Sequence, residues 1–427
     1  MRKFLLLFKL PDLRLKIISV ALLLALTRVM THVPIPGINS EALREFFAQN
    51  QLFGLLNIFS GGGLSNVSIA MLGLGPYITA SIIIQLLTIL IPKLQELQKE
   101  GGEAGRAKLN QYTRMITVPL AALQAFSTIS LFQRTTSGAG AVISNLDAFH
   151  WFITILSVSA GTMIMMWIGE WITEYNIGNG ISLIIFAGIV SGIPTFVQQG
   201  IATYDPTQLL TYLGFLVVGI IVIAGVVLIS EAQRNIPVSY AKRVRGNKLY
   251  GGVNTHLPLR INTAGVIPII FAISVMLFPG IIANFFVQAQ NPMVASLAQK
   301  IVDLFRNQSF YGVSYFILVV LFTYFYTAVV FNPDEVAENV QRQGGFIPGL
   351  RPGSQTAEFL YKVLNRITLA GAVFLGLIAV MPFIFQALTQ TQNLTIGGTS
   401  LLIVVAVVIE TVKQLDVQLV ARDYEGF

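Results

Sequence analysis

The chain has 427 residues, of which 54% are hydrophobic and only 11% charged, with a mean hydropathy of +0.71. A soluble domain carries about 25% charged residues, so this composition excludes an ordinary water-soluble globule and points to a chain that crosses a membrane many times. The net charge of +7 is then read by position rather than as a nucleic-acid signal, and the lack of cysteine excludes disulfides and thiol catalysis without deciding the compartment.

The N-terminal run MRKFLLLFKLPDLRLK imitates the charged region of a signal peptide. Pro11 and Asp12 interrupt its apolar stretch and no small-x-small cleavage site follows, which predicts a retained amphipathic helix at the membrane interface. A span needs ~20 mostly apolar residues. On that measure ten spans are predicted, at about 15–33, 70–91, 114–132, 149–169, 179–197, 209–229, 264–288, 310–331, 367–388 and 394–412.

An even number of spans puts both termini on one side. That side holds Arg2, Lys3, Lys9, Arg14 and Lys16, then Lys93, Lys99, Arg106, Lys108 and Arg114 after span 2. It also holds Arg234, Lys242, Arg243, Arg245, Lys248 and Arg260 after span 6, Arg342, Arg351, Lys362 and Arg366 after span 8, and Lys413 and Arg422 in the tail. Only Arg28, Arg44, Arg134, Lys300 and Arg306 fall elsewhere, so both termini are predicted to be cytoplasmic. The loop EWITEYNIGNG is the exception: it should be cytoplasmic but carries only Glu170 and Glu174.

Ten spans divide into two halves of five, and an odd number per half makes the halves insert in opposite senses, as in many transporters with a pathway between repeats. No residue-level repeat is visible, so the division rests on the count alone. It predicts an N-terminal half at 1–197, an external linker at 198–208 (QQGIATYDPTQ) and a C-terminal half at 209–427.

Before span 2 stands FSGGGLSNVSIAM, too polar and too short to cross a bilayer. Glycine costs about 1 kcal/mol against alanine in a helix, so Gly61, Gly62 and Gly63 predict a hinge. LSNVSIAM can form about two helical turns, marginal alone. Held by weak contacts against a pore, such a piece is cheaply displaced; the commoner fate of such a segment is a plain external loop with a short interfacial helix.

The chemistry of an enzyme is missing. There is no Walker A motif, no dinucleotide glycine pattern after a strand and no GxSxG elbow. His32, His150 and His256 are scattered, without carboxylate or thiol partners at ligand spacing, so neither metal nor cofactor is predicted. Within the spans only Lys16, Arg28, Arg114 and Glu410 are charged, all near an end. A proton- or sodium-driven pump normally keeps a titratable group at mid-membrane, so this argues against one while leaving open a transporter that uses backbone carbonyls.

Leu74 and Ile78 in span 2, and Ile181 and Ile185 in span 5, are i, i+4 pairs, each on one helical face. Ile270 and Ile403 sit at comparable points of spans 7 and 10. Ordinary packing or lipid contact is the usual meaning of buried isoleucine. The sharper reading is a constriction of aliphatics alone, which closes by dewetting, has no chemical selectivity and suits a large, variable substrate.

Two cytoplasmic loops, at about 230–263 and 332–366, carry ordered turn chemistry. The first mixes β-branched and aromatic residues around Gly246-Asn247 and predicts a projecting hairpin. In the second, Asn332-Pro333 opens a short helix ending at Gly344-Gly345. Arg351 lies between Leu350 and Pro352, which holds it extended, with Gly349 and Gly353 leaving it prominent. Basic loops can serve topology alone; shaped turns around the charges also suit docking onto an acidic or RNA-containing partner.

The blocks FSGGGLSNVSIAMLGLGPYITASIIIQLL, EGGEAGRAKLNQYTR, NGISLIIFAGIVSGIP, IPVSYAKR, THLPLRINTAGVIPIIFA, GGFIPGLRPGSQTAEFL and IGGTSLLIVV closely resemble the SecY family, channel subunits of the bacterial protein-conducting translocon. The resemblance covers essentially the whole chain in order. It implies an all-α polytopic membrane protein, with ten transmembrane helices in two inverted five-helix halves around a central pore with a plug helix and a lateral gate. It places a plug at about 60–71 (Gly61, Gly62, Gly63, Leu64, Ser65, Asn66, Val67, Ser68, Ile69, Ala70). The pore ring falls on Leu74, Ile78, Ile181, Ile185, Ile270 and Ile403, where Leu74 stands for an expected isoleucine. Spans 2 and 3 against 7 and 8 would form the gate, with Thr79, Gln124, Ser274 and Phe278 facing it. Arg351 falls at a loop arginine required for SecA-driven transport, and Arg243, Arg245 and Lys248 in a loop that contacts SecA or the ribosome. The acidic loop between spans 4 and 5 also fits the family.

The resemblance further implies no catalysis and no cofactor in this chain, SecE and SecG as subunits, SecA ATPase or a translating ribosome as motor, and precursors with signal peptides as substrates. Transmembrane segments would leave into membrane lipid of the bacterial cytoplasmic (inner) membrane. A small-solute transporter and a scaffold or insertase without an aqueous pore are the rival classes; a titratable mid-membrane site would favour the first, and conductance unaffected by loss of the plug the second.

Overall fold

A computed structural model describes residues 10–35, 63–64, 66–99, 102–134, 136–137, 140–141, 147–202, 209–240, 243–245, 248–250, 254–287, 291–389 and 398–425, and the fold is mostly helical. Two compact units are present: Met1–Gln208 with Ser274–Asn307 and Val407–Phe427, and Leu209–Ile273 with Gln308–Ala406.

In the first unit, α1 (Pro11–Met30) opens with Pro11 in its first turn, where the missing N–H costs nothing, and Asp12 beside the positive end of the dipole. It is one continuous helix, so residues 11–16, read as part of an interfacial helix, run without a break into the stretch read as span 1; residues 1–9 lie outside the described residues. Helix α2 (Gly75–Leu90) starts five residues later than predicted because residues 70–74 are turns. Ile91 is extended, as the residue before a proline should be, and α3 (Pro92–Lys99) leaves at 107°. Helix α4 (Gly102–Arg134) extends the third predicted span well into the preceding loop. A two-residue ladder follows, Thr136–Ser137 (β1) with Gly140–Ala141 (β2), then α5 (Ala148–Glu174) and α6 (Gly180–Ala202). The first five residues of the predicted linker, 198–202, are thus helical.

Helix α4 packs on α2, α3 and α5, while α1 packs on α5 and α6. Glycines allow the closest approaches: a Cβ on Gly180 would run into the Gly169 carbonyl oxygen of α5.

The second unit begins with α7 (Leu209–Glu231). Strand β3 (Gln233–Tyr240) pairs antiparallel with β6 (Asn254–Arg260), and β4 (Arg243–Arg245) with β5 (Lys248–Tyr250) in the register Arg245↔Lys248. This is the predicted hairpin, with residues 246 and 247 between its arms. Helix α8 (Ile267–Phe286) divides between the units and is followed by α9 (Pro292–Arg306) of the first unit. Next come α10 (Gln308–Val330), α11 (Pro333–Arg342), β7 (Gly345–Phe346), α12 (Ser354–Thr389) and α13 (Gly398–Glu425), which is also shared by the two units. Asn332 caps α11, its side chain accepting from the Asp334 N–H at 3.2 Å, and Gly344 at φ +73° ends it, as the sequence predicts.

Strand β7 pairs with the end of β3, so both basic loops build one three-stranded sheet in the order β6-β3-β7. Ile236 and Val238, on one face of β3, pack with Leu259, Ala337, Ile347, Ala357, Leu360 and Val363.

Helices overlie every stretch read as a span. Among the described residues, three segments are long and apolar enough to cross a membrane alone: Ala148–Glu174, Gln308–Arg342 (which takes in α10 and α11) and Ser354–Ile384. The bent pair α2–α3 is a fourth if taken as one span.

Candidate functional site

The segment before α2 is not the two-turn helix the sequence predicts. Residues 63–74, where described, run in turns. Val67 has φ +38° and Gly73 φ +53°, both outside helical space, and for a β-branched residue that is an outlier. The backbone groups that would close a helix are engaged with the strand-like Val33–Ile35 instead. Ile35 N–H donates to the Val67 carbonyl and Ile69 N–H to the Val33 carbonyl, both at 3.1 Å, around a bridge of Pro34 with Ser68. The Ser68 N–H and hydroxyl both reach the Gly63 carbonyl, and Asn66 Nδ2 donates to Thr31 O at 3.2 Å.

Nor is the segment loosely held. Leu64, Val67 and Met71 are buried against Ile35, Ala125, Ile129, Phe132 and Val158, from the strand, α4 and α5. Burying such side chains stabilises by about 1.5–3 kcal/mol each, so displacement needs replacement contacts. Gly161 of α5 faces the Ile69 carbonyl so closely that a Cβ would overlap it. Gly161→Val is therefore expected to lower the melting temperature and loosen the segment, read as faster hydrogen exchange at the Ile69 amide. Exchange as slow as in the parent would contradict this close approach. The sequence reading missed both partners. The alternating prolines of VPIP, which hold 33–35 extended, were the available signal for the strand, and a glycine inside a span the one for Gly161.

Of the predicted ring, Leu74 precedes the first turn of α2 and is buried; its carbonyl accepts from the half-buried Ile78. Ile181 and Ile185 lie on the first turns of α6, where Asn179 Oδ1 accepts from the Ile181 and Ser182 N–H groups. Ile185 is buried, and Ile181 Cγ1 lies 3.3 Å from where a Cβ on Gly169 would stand, so part of Ile181 packs against α5. Helices α2 and α6 both pack against α5. Ile270 on α8 and Ile403 on α13 are buried in the second unit.

Of the predicted gate residues, Thr79 is buried with its hydroxyl on the Gly75 carbonyl at 3.0 Å, and Gln124 of α4 comes within 3.8 Å of the Cβ position of Gly75. Both thus lie near Gly75, at the start of α2, which packs on α4. Ser274 is half-buried on α8, and the Phe278 side chain lies outside the described residues, as do Gly61, Gly62 and Ser65.

Charged residues pair between helices and stand in the loops. Arg114 Nε donates to Glu170 Oε1 at 2.7 Å, joining α4 to α5. Glu170, which broke the charge rule, thus pairs across the two helices with an arginine predicted for the same side. Arg28 Nη1 donates to Ser191 Oγ at 2.9 Å, linking α1 to α6. Arg243, Arg245 and Lys248 lie on the β4–β5 hairpin; their side chains are outside the described residues. Arg351 is exposed between Gly349 at φ +84° and Gly353 at φ +100°, and its carbonyl accepts from Thr356 Oγ1 at 3.0 Å.

The segment before α2 is thus buried against α4 and α5, and Arg351 stands exposed in a loop of the second unit. The family model described as SecY matches residues 68–412. The chain is 43% identical over 435 residues to protein translocase subunit SecY of Streptomyces galbus, covering 98% of each protein. The chain belongs to the SecY family. To the subunit SecY of Mycobacterium tuberculosis strain H37Rv it is 42% identical over 432 residues, 97% of each. Two solved structures share the fold of this SecY-family chain. One, of a protein conducting channel, superposes with a TM-score of 0.63 at 18% identity, over 93% of this chain and 90% of the other. The other is Sec61 in a canine ribosome–channel complex, with a TM-score of 0.60 at 17% identity, over 93% of this chain and 90% of that one.

Proposed function

We propose that this chain is the protein-conducting channel of a bacterial cytoplasmic membrane. It passes unfolded secretory polypeptides across and releases transmembrane segments sideways into lipid. It hydrolyses nothing itself; SecA with ATP, or a translating ribosome, supplies the drive, and SecE and SecG complete the assembly. The reading takes the ten helical stretches as spans, in inverted halves at 1–197 and 209–427 joined by 198–208, with both termini cytoplasmic. The observation that carries it is 43% identity over 98% of the chain to a protein named as a translocase subunit. The Arg114–Glu170 pair supports the orientation, since it joins α4 and α5 at two residues predicted for the same side.

In this reading residues 60–71 are the plug and Leu74, Ile78, Ile181, Ile185, Ile270 and Ile403 the ring. An aliphatic ring dewets when closed and offers no polar group to hold a passing chain. Thr79, Gln124, Ser274 and Phe278 face the gate, while Arg243, Arg245, Lys248 and Arg351 dock the motor.

The deciding experiment is site-specific crosslinking from a photoreactive group at Ile78 or Ile270 to a secretory precursor stalled in reconstituted vesicles. Adducts at both positions that require SecA and ATP are expected. Translocation without adducts would route the polypeptide elsewhere. Ile403→Asn is expected to relax signal-sequence stringency, because a polar side chain in the ring stabilises the wet, open state. The readout is export of a reporter with a defective signal; export no better than through the parent removes Ile403 from the ring.

A further inference from the structure

Helix α9, PMVASLAQKIVDLFR, has an apolar side with no protein on it among the described residues. Asn291 caps it, accepting from the Met293 N–H at 3.0 Å, and Pro292 takes the first position. One side packs inward: Ala298 is only 5% exposed, with Ala295, Val302 and Phe305 half-buried beside it. The adjoining side carries Met293, Val294, Leu297, Ile301 and Leu304, with Met293 72% and Leu297 52% exposed. At about 100° per residue these five share an arc of about 100°. Ser296, Gln299 and Asp303 occupy the remaining side, where Gln299 Nε2 donates to Asp303 Oδ1 at 3.0 Å. Lys300 is exposed at the border, one turn from both Leu297 and Leu304.

The tethers decide what meets the apolar side. Asn307 alone separates α9 from α10, which begins at Gln308 within a segment long and apolar enough to span a membrane. At the other end residues 287–291 join it to α8, a reach of about 17 Å when extended. A helix so tied starts where its neighbouring span ends, at the level of the lipid headgroups, and cannot move away from the bilayer surface. At the end of α8 that the tether reaches, Ile282 and Phe286 are exposed as well.

We propose that α9 lies in the membrane interface, its Met293–Leu304 side sunk to the boundary between headgroups and acyl chains of the outer leaflet. Lys300 lays its methylene stem along that side and carries its ammonium up to lipid phosphate. The inference rests on the proposed orientation only for the choice of leaflet. Lipid contact requires no more than that α8 and α10 cross the bilayer.

The chain has no cysteine, so single-cysteine variants carry a nitroxide at one place only. The assembled complex, labelled at Met293→Cys, Leu297→Cys, Ile301→Cys, Ser296→Cys or Gln299→Cys, would be placed in phosphatidylethanolamine–phosphatidylglycerol vesicles. Accessibility to oxygen, which concentrates in lipid, is compared with accessibility to a water-soluble nickel chelate. The oxygen-to-nickel ratio is expected to be several-fold higher at 293, 297 and 301 than at 296 and 299. A flat pattern, with the chelate reaching 297 as readily as 299, overturns the proposal in favour of a solvated helix. Shielding of 297 from both reagents overturns it in favour of a protein partner. A membrane-impermeant maleimide added to intact cells tests the side separately. Labelling of Gln299→Cys is expected. Labelling only after permeabilisation overturns the outer leaflet and the orientation behind it, while the oxygen pattern still decides lipid contact.

Discussion

Removing residues 61–70 is expected to leave a folded protein that leaks ions when its parent does not. The expected effect is large because of what those residues bury. Leu64 and Val67 are part of the packing on Ile129 and Phe132 of α4, Val158 of α5 and Ile35. Once they are gone, nothing in the sequence can refill the space, and the apolar surfaces they cover face water. The bonds from Ile69 to Val33 and from Ile35 to Val67 are lost as well, freeing the strand that follows α1. Such a deletion is survivable because the segment adds no turn to any helix: α2 begins only at Gly75. Conductance in planar bilayers measures the outcome, with thermal melting as the control for folding. A folded variant as tight as its parent would remove the sealing role from this segment and revive a scaffold without a pore.

How much of this was legible in the sequence depended on whether the signal was local. Helices sit where the apolar stretches are, because a run of ~20 apolar residues has few other fates. Ends set by proline and glycine were also legible: Asn332-Pro333 opens α11 and Gly344 closes it, and the strands on either side of Gly246-Asn247 pair. What failed depended on contacts distant in sequence. LSNVSIAM has the composition of a short helix, but its Ile69 amide and Val67 carbonyl pair with Val33 and Ile35, more than thirty residues away, and that pairing overrides a weak local propensity. The small sheet draws β7 from the second basic loop onto β3 from the first, a union that neither loop announces. Likewise Glu170, an exception to the charge rule in the sequence, pairs with Arg114, 56 residues away. The ring and gate rest on resemblance, because an isoleucine that lines a pore and one that packs a helix are the same letter.

The other large effect is expected from charge reversal at Arg351. The side chain is exposed, so Arg351→Glu removes no packing, and its effect on thermal stability should stay within about 0.5 kcal/mol. Its position, by contrast, is tightly specified. Gly349 and Gly353 both hold positive φ, a conformation that other residues adopt at a cost, and the Thr356 hydroxyl ties down the Arg351 carbonyl. The turn stands on a core shared by both basic loops, with Ile347 and Ala357 buried on either side of it. A backbone held so firmly leaves only the side chain to be ordered on docking, and truncating one member of a desolvated ion pair costs about 2–5 kcal/mol, with reversal costing more. SecA-driven export in inverted membrane vesicles should therefore fall more than tenfold, since about 1.4 kcal/mol is tenfold in affinity. Thr356→Ala, which keeps the charge but releases the backbone, should show a smaller loss of the same kind. If export through Arg351→Glu proceeds at the parental rate, docking rests on the hairpin charges Arg243, Arg245 and Lys248, and the ordered turn serves only to close the sheet. If export fails for both variants while the protein melts normally, the geometry of the turn, and not its charge alone, is what the motor reads.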